Sequence, residues 1–134
     1  MNYWLVKSEP SEYSYDDLVR DKSTYWDGVR NYAARNNLRS MQLNDLVLYY
    51  HSVNEKCVVG ISKVVKEHYQ DPTTDDDRWS VVDLAPVKKL KNPVTLADIK
   101  AEPSLDHIAL VRQSRLSVMP LDKPSYDLIV KMGS

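Results

Sequence analysis

Between Trp26 and Arg39 the chain reads WDGVRNYAARNNLR, which gathers a Trp, a Tyr, several Asn and three Arg (Arg30, Arg35, Arg39) into one short stretch. These residue types can stack a flat ring, meet its polar edge and hold a phosphate. Stacking suits any nucleobase, because every base has a π-face. Asn carries donors and acceptors that match base edges, and Arg offers a planar fork for phosphate oxygens. The same composition also fits an ordinary helix with its Trp in the core and its Arg solvated. Two details favour a site. Trp26 precedes the Asp27-Gly28 turn signal and so lies off any helical stripe. Asn31-Tyr32 follows Arg30 at a helix start, where free backbone N–H groups favour an anion.

Other candidates are weaker. Lys7-Ser8-Glu9-Pro10 could suggest a Ser–Lys nucleophile, but neighbours on a strand point to opposite faces. A strand end presenting polar groups to a pocket is the better reading. Tyr50-His51-Ser52 closes an apolar run, and a lone His there is more often structural than catalytic. His68 and His107 share no ligand spacing with His51, so no metal site is expected. The aspartates between Asp71 and Asp77 lack a calcium-loop pattern. Leu110 to Val118 carries Arg112 and Arg115 among small polar residues; it suits a phosphate path, a pocket wall or a plain surface loop equally. Three glycines in the whole chain leave little room for a phosphate-cradling loop. No catalytic residue and no cofactor are expected.

The elements that must position these residues are short. Tyr3–Val6 reads as a strand, ended by the Lys7–Pro10 segment. Ser14 caps a helix from about Tyr15 to Arg20, with Asp17 three residues on. Asn31 caps a second helix through Leu38. Asn44-Asp45 turns into the buried strand Leu46–His51, which pairs as a hairpin with Cys57–Val65. Gly60 there signals a bulge or a close approach. Asp71–Arg78 is a loop, and Trp79–Leu84 a strand that Ala85–Val87 continues or bends. Thr95 starts a helix stopped by Pro103. A turn or two follows between Leu105 and Leu110. Ser117–Met119 is extended and stopped by Pro120, and Asp122 starts the last helix. Strands in the middle with helices at both ends predict an α+β fold whose strands curl into a small barrel-like sheet.

With 134 residues the chain suits one domain, residues 1–134. A formal net charge of −1 argues against strong non-specific gripping of long duplex nucleic acid. It leaves room for a local basic pocket that takes a short or modified target. No apolar run approaches membrane-span length, the N-terminus has no signal-peptide pattern, and the lone Cys57 fits a reducing compartment. A cytoplasmic protein without membrane contact is the expectation; nothing in the pattern sets an oligomeric state.

Seven segments in order, YWLVKSEP, WDGVRNYAARNNLR, DLVLYYHS, VVGISKVV, DPTTDDDRWSVVDL, PVTLADIK and LVRQSRLSVMPL, resemble the EVE domain family of the PUA-like superfamily. That family is similar to YTH domains and includes the thymocyte nuclear protein group. The resemblance implies a strongly curved, barrel-like sheet with short helices around it. It also implies a pocket that reads a modified base in DNA or RNA: YTH domains cage a methylated adenine, and EVE domains are thought to accept modified cytosines or similar bases. Carried over by position, Trp26 matches the cage aromatic, Lys7-Ser8 the strand end beside the pocket, and Asn31, Tyr32 and Arg35 its lining. His51-Ser52 and Arg115-Leu116-Ser117 complete it, with Trp79 as a second wall. Arg30, Arg35 and Arg115 are the phosphate candidates. Asn44-Asp45 stands where many relatives have Gly-Asp. The expectations are therefore a partly accessible Trp26, specificity from Asn31, Ser117 and backbone near Ser8, and a non-catalytic reader of marked nucleic acid. A binder of a free nucleobase, nucleotide or other small molecule is the second reading, and a hydrolase of a modified nucleotide the third.

Overall fold

The computed structural model describes residues 1–27, 29–53 and 55–134. The turn expected at Asp27-Gly28 falls partly outside them, as does the Val53–Lys56 connection at Asn54. The described residues form six strands and five α-helices: β1 (Tyr3–Ser8), α1 (Tyr15–Asp21), β2 (Thr24–Tyr25), α2 (Tyr32–Ser40), β3 (Leu46–His51), β4 (Cys57–Gln70), β5 (Ser80–Thr95), α3 (Leu96–Ala101), α4 (Ala109–Arg112), β6 (Val118–Leu121) and α5 (Lys123–Met132). The strands make one sheet in the order β2-β5-β4-β3-β1-β6. β1 runs parallel to β3, and the other pairs are antiparallel.

The sheet is curved but stays open, with β2 and β6 at its edges, so the barrel-like expectation holds for the curvature and not for closure. Its bend has a local cause. The β4–β5 register shifts at four places and the β3–β4 register once, between Tyr49 and Tyr50. Each irregularity kinks a strand and increases twist. Gly60 sits at one of them. A Cβ there would lie 2.5 Å from two carbons of the Tyr15 ring, so the glycine lets α1 close onto the sheet.

The helices start where the capping residues stand. Ser14 and Thr95 each form a capping box with an Asp three residues on, and Asn31 and Asp122 accept N–H bonds from Ala34 and Ser125. Asn44 has φ 71°, a left-handed turn that Asn tolerates and Gly prefers. Asp45, only 2% exposed, then accepts from the Trp4 indole N–H at 3.0 Å and from the backbone N–H groups of Gln42 (2.9 Å) and Asn2 (3.1 Å). This buried carboxylate ties the start of β1 to the entry of β3.

β5 is longer than its apolar run predicted. Past Val87 it continues through the charged stretch Lys88–Thr95, in which Leu90 and Val94 are buried while most of their neighbours are exposed. β6 runs through Pro120 to Leu121, which an edge strand permits. Cys57 is buried at the start of β4.

Candidate functional site

A cavity of about 960 Å³ opens where the ends of β1 and β3 meet the segment between β2 and α2. Its walls carry Lys7 and Ser8 from β1, Tyr50 and Ser52 from the end of β3, Tyr25, Trp26, Asp27 and Arg30 from the β2–α2 segment, and Ser114 and Ser117 before β6. The parallel β1–β3 register places Lys7 beside Tyr50 and Ser8 beside His51. Successive residues then alternate faces. Tyr50 and Ser52 line the cavity, while His51 turns into the core.

The wall is held by hydrogen bonds. Ser8 Oγ donates to the Tyr13 carbonyl at 2.8 Å, and the Ser52 N–H donates to the Ser8 carbonyl at 2.9 Å. The Lys7 N–H reaches the Ser117 carbonyl at 2.9 Å, and its ammonium reaches the Ser114 carbonyl at 2.8 Å. That ammonium also lies 5.9 Å from the centre of the Tyr50 ring. Burial pulls the Lys7 pKa below its ordinary value.

Trp26 lines this cavity and is also core. Its indole meets the Tyr49 ring edge-on at 5.3 Å, its backbone N–H donates to the Val82 carbonyl at 2.8 Å, and it is 8% exposed. It is more buried than the partly accessible wall expected from the sequence, because it packs on Tyr49 of the sheet.

The structure sorts the sequence candidates into three groups. Lys7, Ser8, Trp26, Arg30, Ser52 and Ser117 line the large cavity. Asn31, Arg115 and Leu116 line a smaller one of about 360 Å³ that shares Ser114 with it. Tyr32, Arg35 and Trp79 line neither of these two cavities. Tyr32 stacks on Trp79 at 5.3 Å, Arg35 lies 4.8 Å from the Tyr32 ring centre, and Arg30 and Arg78 lie 5.4 and 5.8 Å from that of Trp79. This column fastens α2 to the loop before β5. The other arginine contacts do the same: Arg30 pairs with the buried Asp71 at 3.2 Å, and Arg35 and Arg39 both donate to the Arg78 carbonyl. Arg78 in turn grips Asp76 and holds that carboxyl down at about 2.

His51 is built into the fold. Its Nε2 accepts the Tyr15 N–H at 3.1 Å, which assigns the ring proton to Nδ1, and Nδ1 faces Glu55 Oε1 at 3.1 Å. With both nitrogens engaged, it caps the approach of α1.

The sequence reading did not place Tyr25, Tyr50, Asp27 or Glu12 among the site residues, while Glu9 belongs to the strand end it expected beside a pocket. The period-two pattern at the end of β3 was the available signal for Tyr50, two residues before Ser52. The remainder come from segments that only the tertiary fold brings together. With Trp26, Tyr25 and Tyr50, the cavity offers flat apolar walls and hydroxyl, carboxylate and ammonium groups at its edge. That lining suits a planar polar ring, and the volume lies in the range of small-ligand sites. Among the described residues no group of three His, Cys, Asp or Glu is arranged to hold a metal. No helix among them is long and apolar enough to cross a membrane.

The family model described as "EVE domain" matches residues 2–132. Thymocyte nuclear protein 1 of Mus musculus is 36% identical over 165 residues, covering 98% of this chain and 73% of that protein. A crystal structure of a protein from Agrobacterium tumefaciens superposes with a TM-score of 0.97 at 40% identity, over 100% of this chain and 94% of the other. The crystal structure of human THYN1 protein in complex with 5-methylcytosine-containing DNA superposes with a TM-score of 0.93 at 32% identity, over 100% of this chain and 98% of the other.

Proposed function

We propose, from the premise that this chain belongs to the EVE domain family, that residues 1–134 act as one domain that binds DNA and takes a modified base, a 5-substituted cytosine, into the large cavity. The observation that carries this reading is the cavity of about 960 Å³, walled by Trp26, Tyr25 and Tyr50 and edged by Ser8, Ser117 and Asp27. The human relative's complex with 5-methylcytosine-containing DNA supports the choice of ligand. A base must leave the stack to enter such a space, so the substrate is a flipped or single-stranded nucleotide. Aromatic walls supply affinity of roughly 1–3 kcal/mol per stacked base and little discrimination. The edge groups supply the choice. A carboxylate accepts from the exocyclic amine of cytosine and meets an acceptor in thymine. Asp27, Ser117 and backbone near Ser8, all in the lining, are the groups to which this reading gives that distinction. Asn31, which lines the smaller cavity, serves α2 as its cap instead.

The test is a binding series on short DNA strands that differ at one central position: 5-methylcytosine, cytosine, thymine or 6-methyladenine, with RNA counterparts and the free nucleosides. Tighter binding of the 5-methylcytosine strand than of all others supports the reading. Equal affinity for free nucleoside and strand would assign the cavity to a small molecule, and equal affinity across all strands would remove base reading altogether.

A further inference from the structure

We propose that the smaller cavity holds the phosphodiester adjoining the base in the large one, with Arg112 and Arg115 as its cationic contacts. This rests on the DNA reading above and adds which way the strand leaves the base.

The two cavities are neighbours that share Ser114. The ridge between them is fixed. The Lys7 ammonium donates to the Ser114 carbonyl at 2.8 Å, the Lys7 N–H to the Ser117 carbonyl at 2.9 Å, and the Leu116 N–H to the Gln113 carbonyl at 3.0 Å. A nucleotide that places its base on one side of this ridge carries its phosphate to the other.

The two spaces differ in charge. The large cavity mixes the carboxylates Glu9, Glu12 and Asp27 with the cations Lys7, Arg30, Lys56 and Lys100. The small one has Arg112, Arg115, Asn31, Gln113 and Ser114 and no carboxylate. α2, whose first residues close it on one side, carries no acidic residue in its first turn, unlike α1 and α3. The remaining arginines of this face already serve the fold. Arg30 is paired with Asp71, Arg35 and Arg39 bond the Arg78 carbonyl, and Arg78 is paired with Asp76. Arg112 is held differently. Its Nε donates to the Asp106 carbonyl at 2.7 Å, which sets the plane of the guanidinium, and among the described residues its two terminal nitrogens bond nothing. Two such nitrogens match a phosphate's oxygens as a fork.

The probes are a short single-stranded DNA with one central 5-methylcytosine and its cytosine twin, titrated over a range of salt. Arg112 and Arg115 are exposed, so Arg112→Gln and Arg115→Gln leave the core untouched. For wild type, log K falls with log salt; each lost contact on a single strand flattens that slope by about 0.7. The double variant is expected to lose slope and affinity equally on both probes, keeping the methylated-to-plain ratio. A second arm needs no variant. A neutral methylphosphonate replaces the linkage on one side of the methylated base, then on the other. It is expected to weaken wild type on one side only, and to cost the double variant nothing further there. An unchanged slope and affinity in the double variant, or an equal methylphosphonate cost in both proteins, overturns the assignment. A wild type that binds both probes alike overturns base reading while the slopes still decide the phosphate site. No binding by wild type overturns both.

Discussion

Trp26→Ala removes a ring that serves the cavity wall and the core together, so it is expected to weaken the fold as well as binding. The indole is 8% exposed and packs edge-on against Tyr49, itself fully buried. Truncating a buried Trp costs roughly 3–5 kcal/mol, against a total of about 5–15 kcal/mol for a domain. A partly unfolded population then lowers apparent affinity in proportion to the folded fraction, over and above the roughly 1–3 kcal/mol of lost stacking. Trp26→Phe separates the two effects. It keeps a ring against Tyr49 and costs about 1–2 kcal/mol of stability. Urea unfolding gives the stability of each variant, and anisotropy titration with methylated and plain strands, at a temperature where each is folded, gives the binding. The Phe variant should bind both strands more weakly and keep the preference between them, since stacking tolerates any base. An Ala variant within about 1 kcal/mol of wild-type stability would refute the core role. A Phe variant with undiminished affinity would refute the stacking role.

Gly60→Ala is expected to cost roughly 1–3 kcal/mol, read as a lower urea midpoint. The new Cβ meets the Tyr15 ring at 2.5 Å, and that ring is held by its hydroxyl on the Ile61 carbonyl at 2.7 Å. Asp45→Ala should destabilise by roughly 1.5–3 kcal/mol, because it leaves the buried Trp4 indole N–H without its acceptor; a midpoint equal to wild type would count against the staple. The last helix should be acid-sensitive. Partial burial pushes the Asp122 carboxyl up, but hydrogen bonds from His107 and from Ser125 outweigh it and hold the group at about 2, below its ordinary 3.8. A depressed carboxyl stabilises above the ordinary value and loses that contribution as pH falls towards the folded value. The melting gap between wild type and Asp122→Asn should therefore be constant above about pH 4 and close between about 3.8 and about 2. A gap independent of pH over that window would remove the charge from the explanation.

Local chemistry was legible in the sequence and tertiary assembly was not. The caps at Ser14, Asn31, Thr95 and Asp122 were readable because a cap is a contact between residues three apart. Gly60 was readable because a glycine inside a strand needs a steric reason. The far half of β5 was hidden because only Leu90 and Val94 of its Lys88–Thr95 stretch are buried, and charge masks the alternation. β2 is two residues long, below what any pattern can register. In the site, Lys7, Ser8, Trp26 and Ser52 fall together because strand ends and the turn-side Trp are local facts. Tyr32, Arg35 and Trp79 fall elsewhere because the direction in which α2 projects its side chains depends on the loop that packs against it.

The parallel pairing of β1 with β3, and its antiparallel pairing with β6 on the other side, make assembly order a property of the topology. Trp4 lies opposite Val47 and Pro120, so β1 finds its place only through contacts distant in sequence. The β3–β4–β5 meander needs only short closures and pays less chain entropy to form. That meander is the natural early nucleus, with β1 and β6 docking onto its open side afterwards. Both cavities lie at the seam this docking creates, since Lys7 and Ser8 come from β1 and Ser114 and Ser117 from the approach to β6. The proposed binding surface is thus the last part of the molecule to form. Local opening of the same seam abolishes it while leaving the meander intact, so amide exchange in β1 and β6 should slow when DNA is bound, and exchange in β4 should change least.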